Sequence, residues 1–224
     1  MPAEFHWDAF DAYLFDIDGT LLNSRDAVHY SAFHAALENV FRVQERIDTV
    51  QVHGNTDPGI LRAVVRNAGI SNEVFMAELP RALQYMREAA IANCGDMRPE
   101  ICAGVTDLLA ALRRKSKLLG LVSGNLEEIA WAKLRAAGIR DCFAFGSFSD
   151  RYSERRDIFA HGAEEARRLG GATVCVVGDT PNDIQAAHDC ELPIIAVATG
   201  IYGIEQLRAC EPDLCLKCCA DLLG

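Results

Sequence analysis

The chain has 224 residues, enough for one large domain with an insert or for two small ones, and half of its residues are hydrophobic, which allows a sizeable core. Its formal net charge of −10 argues against a nucleic-acid or acidic-membrane partner, since either needs a dominant basic face. Residues 1–8 have neither the basic nor the apolar stretch of a leader, and no segment reaches membrane-span length, so a cytoplasmic protein is expected.

In chain order, the apolar run Tyr13-Leu14-Phe15 reads as a buried strand that delivers Asp16 and Asp18 onto the turn Gly19-Thr20. A strand alternates its side chains, and where it ends the chain turns, so both carboxylates can face one polar pocket. Two like charges held that close need a cation, a shared proton or different tasks. Residues 24–96 then change character, with helical periodicity at 26–42, 58–68 and 73–92, no clear strand, and a return at Arg98-Pro99-Glu100. From Lys117 onward, strand-like runs at 117–122, 142–146, 173–177 and 194–197 alternate with helical patterns at 127–137, 157–169 and 183–189. That alternation predicts an α/β, Rossmann-like doubly wound parallel sheet, with active-site residues at the carboxyl ends of its strands. The division expected is a core of residues 1–23 and 97–224 with an all-helical insert at 24–96.

Three later segments carry chemistry, two of them at strand ends. Ser123-Gly124-Asn125 offers a hydroxyl and free backbone N–H groups at a strand-to-helix turn, suited to phosphate oxygens, with Gly124 permitting close approach. Arg155 and Arg156 stand near the start of a later helix. Gly178-Asp179-Thr180-Pro181-Asn182-Asp183 follows the buried run 174–177.

Taken in order, these segments resemble the motifs of the haloacid dehalogenase superfamily, in its phosphatase branch with a helical C1 cap. The resemblance implies that Asp16 is the nucleophile and Asp18 the general acid/base, an aspartyl-phosphate being formed and hydrolysed. The acid at Asp18 sets the chain apart from true dehalogenases, which lack one there. Ser123 would hold phosphate, together with Gly19, Thr20, Gly124 and Asn125. The usual motif III lysine is missing, and Arg155 is the best match to that base, with Arg156 second; an arginine keeps the charge and grips phosphate bidentately. Mg²⁺ is the implied cofactor. Asp16 and Asp179 would supply carboxylate oxygens, Asp18 its backbone carbonyl, and Asp183 would orient a bound water.

In the insert, His53-Gly54-Asn55-Thr56-Asp57 resembles a segment of phosphoglycolate-phosphatase-like members, which points to Gly54 and Thr56 as substrate contacts; Thr56 or Asp57 serves equally well as a helix cap. Asn23-Ser24-Arg25 on the hinge is a further candidate, while His29 and His34 read as packing residues. The implied activity is hydrolysis of a small phosphorylated metabolite, phosphoglycolate first, by a monomer or homodimer. A β-phosphoglucomutase-type phosphotransferase is the nearest alternative, and a catalytically silent binding or regulatory protein the alternative of another class. Nine scattered cysteines suit reduced thiols, and the group Cys210, Cys215, Cys218 and Cys219 is expected in a last strand and helix rather than in a zinc site.

Overall fold

A computed structural model describes residues 5–24 and 26–223; the hinge candidate Arg25 and part of the 1–8 segment lie outside the described residues. Six parallel strands form the main sheet: β1 (Ala12–Phe15), β4 (Leu118–Ser123), β5 (Phe145–Phe148), β6 (Val174–Gly178), β7 (Ile194–Val197) and β8 (Leu214–Leu216). Their order is β5-β4-β1-β6-β7-β8, the doubly wound arrangement. β1 pairs with β4 from Ala12↔Leu118 to Phe15↔Leu121, and with β6 from Ala12↔Val174 to Phe15↔Val177.

β1 and β6 are buried along their whole length because helices cover both faces, which explains their unbroken apolar sequences. Alternation divides β1 between two clusters. Tyr13 and Phe15 pack with Leu108, Leu112, Leu134 and Leu222, contributed by α4 (Val105–Arg114), α5 (Glu127–Ala136) and the C-terminal turn. Ala12 and Leu14 pack with Phe159, Ala163, Ile184 and Ala187 of α6 (Arg155–Arg168) and α7 (Pro181–Asp189). The strand order reverses at β1, so the ends of β4, β1 and β6 open a crevice on one edge of the sheet.

Between β1 and β4 the chain leaves through β2 (Leu22–Ser24) and returns through β3 (Pro99–Ile101), a short antiparallel ribbon with Leu22 opposite Ile101. Sequence periodicity gave no sign of it, since three residues are too few to alternate visibly. The helices in between are α1 (Val28–Ala36), α2 (Asp57–Asn67) and α3 (Asn72–Ala92). The helix expected over 26–42 is shorter: Asp26 caps the Val28 N–H, and beyond Ala36 the coil widens into a π-turn over Leu37–Phe41 that ends at left-handed Arg42. These helices share an apolar cluster of their own, built from Phe33, Leu37, Leu61, Phe75 and Met86. Leu126, Ile129 and Ala132 on and beside α5 join that cluster, so the helical insert is seated on the α/β sheet's own helix. α8 (Ile204–Arg208) precedes β8.

The strand expected at 142–146 begins only at Phe145, because Arg140–Cys142 forms a single 3₁₀ turn after α5. Near the C-terminus Cys215 lies in β8 and Cys219 is buried in the short turn beyond it. Among the described residues no helix is long and apolar enough to cross a membrane.

Candidate active site

Asp16 follows β1, Ser123 closes β4 and Asp179 follows β6, so the sheet brings all three to the crevice. A cavity of about 330 Å³ opens there, lined by Asp16, Asp18, Ser123, Asn125, Arg155 and Asp179 on the sheet side and by the helical insert opposite.

Oxygens of Asp16, Asp179 and Asp183 lie within 4.8 Å of one another, and all three residues are buried. Arg155 is the cation among them: its Nη2 stands 2.8 Å from Asp16 Oδ1 and 2.5 Å from Asp183 Oδ1, and its Nε donates to Asp183 Oδ1 at 2.8 Å. Arg156, one residue later on α6, is exposed and far round the helix, because each residue turns the coil by about 100°. Asp183 also closes the first turn of α7. Its Oδ2 accepts from Thr180 N at 3.0 Å and Oγ1 at 2.6 Å, while the Thr180 hydroxyl accepts from Asp183 N.

Thr20 is fully buried and does not line the cavity; its hydroxyl donates to Asp179 Oδ1 at 3.0 Å and fixes that carboxylate. Gly19 does line it, at φ 91°, and a side chain there would strike Asp179.

Burial raises the Asp16 carboxyl well above the ordinary range; Arg155 opposes the rise, and Asp183 and Asp18 add to it. Asp179 is raised in the same way, by burial first and then by Asp16 and Asp183. Once ionised, three carboxylates against one guanidinium would leave net negative charge, which is why Asp16 and Asp179 hold their protons until a cation balances it. The donor set fits a hard divalent cation, which Asp16 and Asp179 could hold, while Asp183 is engaged by Arg155 and Thr180.

A stability prediction follows from the sign of these shifts. Above the ordinary carboxylate range the unfolded chain has released these protons while the folded chain keeps them, so metal-free stability falls as pH rises toward the raised values. In chelator, Tm is expected to drop by several degrees between pH 5 and pH 8.5, and the Tm gain on adding Mg²⁺ should grow over the same interval. A Mg²⁺ effect independent of pH in thermal scans would count against the triad as the metal site.

Asp18 faces the same cavity, and its side chain is 42 % exposed to it. Lys133, only 5 % exposed, reaches from α5 to both Asp18 oxygens at 2.8 and 2.7 Å and to Asn125 Oδ1 at 2.9 Å. Asn125 Nδ2 donates to Asp18 Oδ2 at 2.7 Å and to Ser123 Oγ at 2.8 Å. Burial would raise the Asp18 carboxyl, but the Lys133 and His29 charges and these hydrogen bonds outweigh it and hold the group below its usual range. Sequence reasoning missed Lys133. The signal was present, because Leu126, Ile129, Ala130 and Leu134 place Lys133 on the apolar stripe of its helix, where a lysine needs a partner.

The 54–57 loop meets three core loops. Asn182 Nδ2 donates to Gly54 O at 2.9 Å, Thr56 Oγ1 donates to Ser153 O at 2.8 Å, and Asp57 N donates to Gly124 O at 2.8 Å. Buried Asp57 also accepts from Leu126 N at 2.9 Å and pairs with His29 Nε2 at 3.1 Å. Gly54 lines the cavity. Thr56 does not; its hydroxyl also caps α2 by accepting from Gly59 N. Gly124 is needed where this loop crosses it, since a side chain would collide with Asn55 O.

The family model of the haloacid dehalogenase-like hydrolases matches residues 10–190. A phosphoglycolate phosphatase of Synechococcus elongatus is 33 % identical over 216 residues, 95 % of each chain. The pyrophosphatase PpaX of Listeria innocua is 28 % identical, covering 94 % of each. Crystalline CbbY of Rhodobacter sphaeroides, in complex with phosphate, shares the fold with a TM-score of 0.66 at 20 % identity, over 87 % of this chain and 89 % of its own. On the length of the family match and the relative that exceeds 30 % identity across nearly the whole chain, this protein belongs to the haloacid dehalogenase-like hydrolases.

Proposed function

We propose that the chain is a Mg²⁺-dependent phosphomonoesterase that works through an aspartyl-phosphate on Asp16. The observation that carries this reading is the placement of two carboxylates of opposite character on one cavity. Asp16 is buried beside Arg155 and Asp179, whereas Asp18 is open to the cavity and gripped by Lys133 and Asn125.

In the first half-reaction an Asp16 oxygen forms a bond to phosphorus as the ester P–O bond breaks, and Asp18, in the minor fraction that carries a proton, gives it to the departing alkoxide. In the second, water attacks the phosphorus, Asp18 takes the proton, and the Asp16–phosphorus bond breaks to release inorganic phosphate. Arg155 sets the Asp16 carboxylate and faces the charge that builds on the phosphoryl oxygens, and Ser123 Oγ with the loop N–H groups can hold those oxygens. Mg²⁺ would add Lewis-acid neutralisation of the same charge. The helical insert at 24–96 serves as the cap on a core of 1–23 and 97–224, hinged at β2 and β3, and shuts water out when the 54–57 loop is docked.

The name of the 33 % identical relative supports phosphoglycolate as the reference ester. Purified protein with Mg²⁺ should release phosphate from phosphoglycolate and from p-nitrophenyl phosphate, and chelation should stop both; failure to release phosphate from either would overturn the reading.

Lys133→Met keeps the buried stem and removes the charge that holds Asp18. The Asp18 carboxyl should then rise toward its usual range, so the acid limb of kcat, set by the need for ionised Asp18 to take the proton from water in the second half-reaction, should move to higher pH, and kcat should fall about tenfold or more as Asp18 loses its anchor. An unchanged pH profile would show that Lys133 does not act on Asp18.

A further inference from the structure

The phosphate apparatus occupies only the sheet side of the cavity. On the cap side Tyr30, Phe33, Ile47, Val52 and Ile60 converge from four separate stretches of the insert. Their meeting is a product of tertiary packing, since no short stretch of sequence contains it. The His29 ring stacks on Phe33 with centroids 5.0 Å apart and extends the flat apolar face.

Four polar side chains on that side, Asp26, Tyr30, Asn55 and Asp57, are already engaged by the protein, while exposed Ser24 and His53 line the cavity beside them. Asp26 accepts from Val28 N and Arg98 N. Asn55 spends its Oδ1 on Thr56 N and its Nδ2 on Gln51 O. Tyr30 OH donates to Asp48, and Asp57 is taken by His29 Nε2 and Leu126 N. Among the described residues the cap contributes no Lys or Arg to the cavity, and the core cations Lys133 and Arg155 are held by Asp18 and by Asp16 with Asp183. A carboxylate placed against Phe33, Ile47 and Ile60 would lose its hydration without gaining a counter-charge from them. A hydrocarbon surface there gains from burial.

We propose that the cap side of this cavity is a chamber for the alcohol part of the substrate, and that this alcohol is a hydrocarbon or aromatic body several carbons long. The inference rests on the phosphomonoesterase reading and narrows its substrate class: phosphoglycolate is a minimal ester that leaves the chamber unfilled. The whole cavity, phosphate side included, is about 330 Å³, at the lower end of the range for small-molecule sites and larger than a two-carbon acid ester fills.

The test is a homologous series of n-alkyl phosphates from methyl to hexyl beside phosphoglycolate, with Mg²⁺ and phosphate release as the readout. Simple alkanols are leaving groups of nearly constant acidity, so kcat/KM along the series reports the fit of the chain rather than the chemistry. Expected is a rise of about threefold to fourfold for each methylene, with hexyl phosphate outrunning phosphoglycolate by about tenfold or more. Val52→Asp, at a half-buried wall position, should collapse the hexyl-to-methyl ratio. A flat series, a preference for phosphoglycolate, or a hexyl-to-methyl ratio unmoved by Val52→Asp overturns the chamber while leaving the phosphatase intact. The wild-type series stands whether or not that variant folds. Absence of release from every ester overturns the phosphatase reading and the chamber together.

Discussion

Asp16→Asn is expected to abolish phosphate release while making the metal-free protein more stable. The amide keeps the shape of the side chain but has no carboxylate to attack phosphorus, so turnover should fall by about 10⁴ or more. Stability should move the other way, because the change removes one of three carboxylates buried within 4.8 Å of one another while Arg155 keeps its contacts to Asp183. The Mg²⁺-induced rise in Tm should shrink with the loss of a donor. Activity assays with thermal scans, each with and without Mg²⁺, check all three outcomes together. Phosphate release undiminished in Asp16→Asn would remove Asp16 as nucleophile, and a lowered metal-free Tm would contradict the charge balance assigned to the triad.

Arg155→Ala should have the largest effect on stability. Arg155 is the buried cation shared by Asp16 and Asp183, and its removal leaves their charges and that of Asp179 facing one another. Breaking a buried pair in this way costs about 3–5 kcal/mol, which for a chain of this size lowers Tm by roughly 6–20 °C. The loss should be worst at high pH, where the triad is forced to ionise, and Mg²⁺ should restore part of it. Activity should fall by about a hundredfold or more from the lost charge at the phosphoryl position. Arg155→Lys should lie between, because an ammonium keeps the charge without the planar fork that spans two carboxylates. A thermal shift of under one degree in Arg155→Ala would show that Arg155 is not the compensating charge.

The parts of the site legible in sequence are those that local rules fix. Asp16, Ser123 and Asp179 each end an apolar run, and in a parallel sheet with right-handed crossovers strand ends of that kind lie on one edge. Asp183 was legible for a similar reason, as the third residue of a helix opened by Thr180. Which of two adjacent arginines enters the site was not legible. Arg155 and Arg156 have the same chemistry, and the docking of α6 against β4 decides which one turns inward. Thr56 carries a motif resemblance, yet its hydroxyl is spent on Ser153, a residue distant in sequence.

Sequence alone therefore determined the alternation of strands and helices, the helical insert and the identity of the strand-end residues, because period, capping and strand termination act over a few neighbouring residues. Only the tertiary structure decided that Lys133 grips Asp18, that Arg155 rather than Arg156 stands among the carboxylates, and that Tyr30, Phe33, Ile47, Val52 and Ile60 of the helical insert meet on the cavity that Asp16 and Asp18 line. Each of these depends on how a helix is rotated and seated against a distant element. That orientation is set by the shape of the packed core and by buried charges finding partners, and no local pattern of residues encodes it.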